Sequence, residues 1–118
     1  MRLESTRFGS LTIDGTVYDH DVALRLSGEV VKRKKKLSKK YYGTSHTLSE
    51  EEMAFVYEPG AERIIIGTGQ HGYVTLSEEA AAFLKRKGCR PIMAKTPDAL
   101  AAYNDAPAPK IGLFHVTC

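Results

Sequence analysis

The stretch at residues 64–76, IIIGTGQHGYVTL, sets Gly67, Gly69 and Gly72 in a G-x-G-x-x-G array directly behind an apolar run. In a dinucleotide-binding unit such glycines turn the chain tightly and bring a pyrophosphate onto backbone amides at a helix N-terminus. This array departs from that arrangement in three ways. YVTL separates Gly72 from the next helix cap, at Ser77. The following strand ends in Lys95 and Thr96, where an acidic residue should hold the ribose. A chain of 118 residues also leaves no room for both a dinucleotide domain and a substrate domain. No NAD site is expected, and no other cofactor. What remains is a turn, Gly67-Thr68-Gly69, at the carboxyl end of a strand, where open α/β sheets place ligands. Its amides could form a nest for a small anion. A tight turn demanded by packing accounts for the same glycines equally well.

Four histidines are available for chemistry: His20, His46, His71 and His115. His46 (in GTSH) and His71 (in GTGQHG) fall on polar loops flanking one sheet, and His115 falls on the last strand. No H-x-H, H-x-x-x-H or C-x-x-C spacing occurs, so no metal site is expected. Cys118 lies three residues after His115, which in an extended strand places the two on opposite faces and argues against a thiolate–imidazole pair. Cys89, before RPIMA, reads as a small buried hydrophobe. For a binding module, the candidate ligand-facing residues are Thr44, Ser45, His46, Gly67, Thr68, Gly69, His71, Lys95, Thr96 and His115. For an enzyme acting on a small phosphorylated or carboxylated substrate, His46 or His115 would be the acid–base, with the GTG amides cradling the oxyanion or phosphate.

The net charge of +3 hides an asymmetry. KRKKKLSKK carries Lys32, Arg33, Lys34, Lys35, Lys36, Lys39 and Lys40 and no acid, leaving ten basic against fourteen acidic residues elsewhere. Such a run usually forms a solvated basic loop. Together with Tyr41 and Tyr42 it could bind nucleic acid weakly, but no RNA-binding signature accompanies it, so nucleic acid is not the expected partner. A third possibility joins the run to the glycine turn along one anion-binding cleft, with Thr44, Ser45 and His46 supplying donors.

These groups must be positioned by a single domain spanning residues 1–118. Asp14-Gly15 between SLTI and TVY is a hairpin signal, and DVALRL alternates Val22, Leu24 and Leu26 with Ala23 and Arg25 as a strand with one apolar face. This start reads as a β-meander. Ser49 with Glu52 forms a capping box for a helix through about Val56, stopped by Pro59-Gly60. RIIIG is a buried strand. A helix from Ser77 stops at Gly88, RPIMA is a strand, and Thr96-Pro97-Asp98 supplies an N-cap, N1 proline and N2 acid for DALAAYN. KIGLFHVTC is the last strand. The expected architecture is α/β, with a mixed, mostly parallel central sheet flanked by helices. Residues 63–66, 91–94 and 111–116 are its expected neighbouring central strands. No stretch approaches the roughly 20 apolar residues a membrane span requires. Two cysteines are too few for a disulfide framework, so a cytoplasmic, reduced protein is expected, as a monomer or weak homo-oligomer.

Five segments taken in order, RFGSLTIDGTVYDHDV, YGTSH, IIIGTG, KTPDALAAYN and HVTC, resemble a small family of single-domain α/β proteins of Mth type. That family is made up mostly of hypothetical proteins from archaea and bacteria. Its relatives include a vertebrate adipogenesis-associated protein and a mitochondrial respiratory complex I assembly factor. The resemblance spans nearly the whole chain and implies a mixed sheet flanked by helices, with an added β-hairpin. It implies no reaction. The leading expectation is a binding or assembly module for a protein partner or small anion.

Overall fold

A computed structural model describes all 118 residues. Strands β1 (Leu3–Arg7), β2 (Ser10–Ile13) and β3 (Thr16–Tyr18) form a small antiparallel sheet. The β2–β3 turn takes positive φ at both Asp14 and Gly15, 48° and 79°, as a type I′ hairpin requires. Then follow β4 (Val22–Leu24), β5 (Val30–Lys32), α1 (Lys36–Tyr42), β6 (Thr47–Leu48) and α2 (Glu50–Val56). The second half runs β7 (Arg63–Thr68), β8 (Thr75–Leu76), α3 (Glu78–Arg86), β9 (Arg90–Ala94), α4 (Thr96–Asp105) and β10 (Lys110–His115).

The central sheet is mixed, in the order β5-β4-β10-β7-β9, with β10, β7 and β9 parallel and β4 and β5 joined antiparallel. Both of its faces are covered. Ile64 and Ile66 of β7 pack with Met53, Val56, Phe83 and Leu84 of α2 and α3. Ile65 packs on the other side with Leu100 and Tyr103 of α4 and with Leu3, Leu11 and Ile13 of the small sheet. A strand buried on both sides needs an unbroken apolar run, which RIIIG supplies.

Four expectations are corrected. β4 has no solvent face: Ala23 is as buried as Val22 and Leu24, because α2 and α3 cover the side expected to be open, and solvent is reached only beyond the strand, at Arg25 and Leu26. The three expected strands are neighbours, in the order β10-β7-β9, but β9 pairs with β7 alone and forms the sheet edge, so only β7 and β10 are interior. Pro91, which lacks an N–H, suits that edge. Part of the basic run is helical, α1, closed by Gly43 at φ 70°. Its charges masked the signal, since Ser38 is its one buried residue. The cap of α4 is Lys95, not Thr96, whose hydroxyl is used elsewhere. The capping hydroxyls of Ser49 and Ser77 are as expected.

Candidate functional site

Parallel pairing sets His115 beside Thr68, so β10 and β7 end together. The chain beyond β10 then crosses the glycine turn. Gln70 N donates to Thr117 O at 2.6 Å and Tyr73 N to Cys118 O at 3.1 Å. Inside the turn, Val74 N reaches Thr68 O at 3.0 Å and Gly72 N reaches Gly69 O at 3.3 Å. Gly69 N donates to Thr96 Oγ1 at 2.9 Å, and that hydroxyl donates to His115 O at 2.6 Å. The Thr68 hydroxyl donates to Ala94 O. The amides of Gly69, Gln70 and Gly72 are therefore spent within the fold, which corrects the expected anion nest.

The glycines serve close approach instead. A Cβ on Gly69, at φ +103°, would lie 2.5 Å from Cys118 O and 2.9 Å from His115 Cδ2. One on Gly67 would lie 2.8 Å from Phe114. Gly67, Thr68, Gly69 and Thr96 are all buried. The helix of a dinucleotide unit is also displaced, since β8 intervenes before α3.

Behind the turn lies a buried charged cluster. Arg33, 5% exposed, donates from Nε to Glu52 Oε2 at 2.6 Å and from Nη2 to Glu52 Oε1 at 3.1 Å. Nη1 reaches Asp21 Oδ2 at 2.9 Å, and Nη2 also reaches Ser45 O at 2.6 Å. Ser38 donates to Glu52 Oε1 at 2.5 Å and accepts from Ser49 N at 2.9 Å. Glu52 thus turns inward to Arg33, and the hydroxyl of Ser38 takes the Ser49 amide that a capping box would have given it.

His115 joins the cluster. Its Nδ1 lies 2.7 Å from Asp21 Oδ2, and its Nε2 lies 3.1 Å from Thr117 Oγ1. Asp21 Oδ1 accepts from Val116 N at 2.8 Å. Burial pushes the Asp21 carboxyl up, but the hydrogen bonds of His115, the Val116 amide and Arg33 outweigh it and bring it from 3.8 down to about 2. Burial disfavours the charge of Arg33, and the carboxylates of Glu52 and Asp21 more than restore it, raising its pKa.

Outward from His115 runs a chain of rings. His46 packs edge-on to His115 with centroids 5.4 Å apart, and Tyr73 packs on His46 at 6.4 Å. His71 follows at 6.0 Å from Tyr73, then Phe8 at 6.1 Å from His71. Tyr73 and Phe8 are about 60% exposed. The stem of Lys95 lies across Gly72. The structure therefore brings together His46, His71, Lys95 and, beneath them, His115. Thr44 turns inward to accept from His46 N, and Ser45 contributes its carbonyl to Arg33. His20 packs on Tyr18, with Nδ1 against the Asp21 carbonyl.

The basic run divides. Lys32, Lys34, Lys35 and Lys36 line, with Arg33, a shallow hollow of about 400 Å³ that includes neither residues 44–46 nor the glycine turn. This hollow lends no support to one continuous anion cleft. Lys39 and Lys40 lie in the last turn of α1, Lys40 near Glu51 at 3.6 Å. Cys89 is buried, as expected, and burial raises its thiol pKa. Sequence reasoning missed Asp21, Ser38, Glu52, Tyr73 and Thr117 as site residues. One signal was available: Arg33 is the single arginine among six lysines, and a planar guanidinium suits a buried site between two carboxylates.

Residues 3–107 match the model of a family described as protein of unknown function (DUF498/DUF598). The chain belongs to this family. It is also similar to the conserved hypothetical protein PH1505 from Pyrococcus horikoshii OT3, at 32% identity, 100% of each chain and a TM-score of 0.92. A protein designated MT938 is 32% identical over 99% of this chain and 98% of its own, with a TM-score of 0.85. A Bordetella pertussis protein described as a Mth938-like domain shares the fold at 18% identity, 98% and 85% coverage, and a TM-score of 0.62. A search of curated proteins finds no match. The resemblance to Mth-type domains is thus shown. The matched family span includes Asp21, Arg33 and Glu52 and ends before β10. No helix is long and apolar enough to cross a membrane.

Proposed function

We propose that this family member is a binding module whose contact surface is the ring-rich patch at the carboxyl ends of β7 and β10. A small phosphate- or carboxylate-bearing ligand is the best fit. The observation that carries this reading is the edge-on packing of His46 on buried His115 at 5.4 Å, which ties surface donors to a fixed support. The donors are side chains, His46, His71, Tyr73 and Lys95, because the turn amides are already bonded.

Two carboxylates against one guanidinium leave the buried cluster short of positive charge, so the surface imidazoles and Lys95 must hold the anion. Such an open, solvated site binds weakly, with a Kd near the millimolar range or about −4 kcal/mol. Titration of phosphate, sulfate and citrate, followed by amide and imidazole NMR shifts, tests it. Shifts should concentrate at His46, His71, Tyr73 and Lys95 and spare Gly67 to Gly69. Shifts confined to Lys32–Lys36, or none at all, would overturn the reading.

A further inference from the structure

We infer that Thr117 is an activated nucleophile, its hydroxyl served by His115 and oriented by Asp21, for acyl transfer from small unhindered carboxylic esters. The inference goes beyond the proposed binding function and does not depend on it. Asp21 meets, across 94 positions of chain, a histidine and a threonine that lie two residues apart at the end of β10. Asp21 Oδ2 faces His115 Nδ1 at 2.7 Å, and His115 Nε2 faces Thr117 Oγ1 at 3.1 Å. An ionised carboxylate only accepts, so Nδ1 carries the proton shared with Asp21 and Nε2 is the nitrogen turned to the hydroxyl. That is the nucleophile–base–orienter arrangement of covalent acyl-transfer sites.

The orienting group is firmly held. Asp21 is bonded through Oδ1 by the Val116 amide at 2.8 Å and through Oδ2 by Arg33 at 2.9 Å. His115 is 4% exposed, while Thr117 is only partly buried, so the relay ends where solvent begins. The hydroxyl of Thr117 has His115 Nε2 as its partner, whereas the turn is held by Thr117's carbonyl, through Gln70 N. The strand could be anchored without the hydroxyl. A β-branched nucleophile is crowded at its own Cβ, which restricts the substrate to a small acyl group.

The step balances. Thr117 Oγ bonds to the ester carbonyl carbon while its proton passes to His115 Nε2. The carbon–oxygen bond to the leaving alcohol then breaks, and the Nε2 proton goes to that oxygen. Water then attacks the acyl-threonine while its proton passes to His115 Nε2; the bond between the acyl carbon and Oγ breaks, Oγ takes up that proton, and the carboxylic acid leaves a restored Thr117. His46, adjacent to His115, is the donor for the charge that develops on the carbonyl oxygen.

The test exposes the full-length protein to p-nitrophenyl acetate, reading p-nitrophenol release and the peptide that gains an acetyl group. One acetyl on Thr117 is expected. Thr117→Ser should retain labelling, and Thr117→Val should lose it with an unchanged unfolding midpoint. His115→Gln should slow labelling by roughly 100-fold or more. Asp21→Asn should slow it and displace its pH profile, which a purely structural aspartate would leave in place. If either core variant fails to fold, the Ser and Val pair at position 117 still decides the matter. Acetyl found only on lysines or tyrosines, or labelling of Thr117→Val at the wild-type rate, would overturn the inference. A protein that labels Thr117 and binds no phosphate upholds this inference and removes the binding reading; the reverse result does the opposite.

Discussion

The glycine turn and the charged cluster lie against each other at the carboxyl ends of β7 and β10, and they satisfy their polar groups by opposite means. The turn uses neutral backbone atoms from two short segments, residues 67–74 and 115–118, helped by the Thr96 hydroxyl. The cluster uses four ionisable side chains and one hydroxyl, drawn from five places: Asp21 before β4, Arg33 after β5, Ser38 on α1, Glu52 on α2 and His115 on β10. A neutral backbone closure fails sterically, at the point where an atom is added. A buried ionic closure fails electrostatically, because removing one member leaves the others charged and unpaired. The two regions should therefore respond differently to substitution.

The largest effect is expected in the cluster. Arg33→Met keeps much of the side-chain volume and removes the only guanidinium between Asp21 and Glu52. Leaving two buried carboxylates without a cation should cost about 3–5 kcal/mol, read from urea unfolding midpoints. Arg33→Lys should recover only part, since one ammonium cannot reproduce the paired bonds to Glu52. A loss under about 1 kcal/mol for Arg33→Met would mean that the carboxylates find protons or water instead, and the contrast would collapse.

The next effect is expected in the turn. Gly69→Ala forces a side chain into positive φ and drives its Cβ against the Cys118 carbonyl and the edge of the His115 ring. Strain of this kind costs roughly 1–3 kcal/mol, and the clash adds to it by pushing residues 115–118 aside. Unlike Arg33→Met, the penalty should vary little with pH, because it is mainly steric and no charged group is removed. Equal stability of Gly69→Ala and wild type would show that the C-terminal segment shifts without cost. Closure of the turn would then not be what holds His115.

The two regions also differ in how openly the sequence displays them. The turn announced itself by three glycines within six residues, and the elements around it, β7, the Ser77 cap and β10, were legible from apolar runs and capping hydroxyls. Its geometry was legible and its use was not, because the residues that bond its amides, Thr96, Thr117 and Cys118, lie about 25 to 50 positions away in the chain. The cluster gave almost no local sign. Asp21 and His115 are 94 residues apart and Arg33 and Glu52 are 19 apart. Arg33 sat among lysines that do face solvent, and Glu52 had a local role open to it as a capping partner. β1 was missed for a related reason. Its sequence, LESTR, carries a single apolar residue, so its pairing with β2 is set by tertiary packing of Leu3 and not by periodicity.

The smallest effect, and the one that separates the regions by sign as well as size, is on acid stability. Asp21 titrates at about 2 in the fold against an ordinary 3.8. A carboxyl lowered by folding stabilises the protein fully above its unfolded value, and that contribution fades as the pH falls through the folded value. The window is therefore between about pH 4 and pH 2, and the contribution at stake is about 2 kcal/mol. Wild type and Gly69→Ala should lose stability in parallel across this window, since both keep the ionised Asp21. Asp21→Asn should start lower at neutral pH and then fall more gently, because the titrating group is gone while its partners remain. Urea midpoints measured across the window give both slopes. Parallel lines for Asp21→Asn and wild type would place the acid-labile group elsewhere and remove Asp21 as the anchor of the cluster.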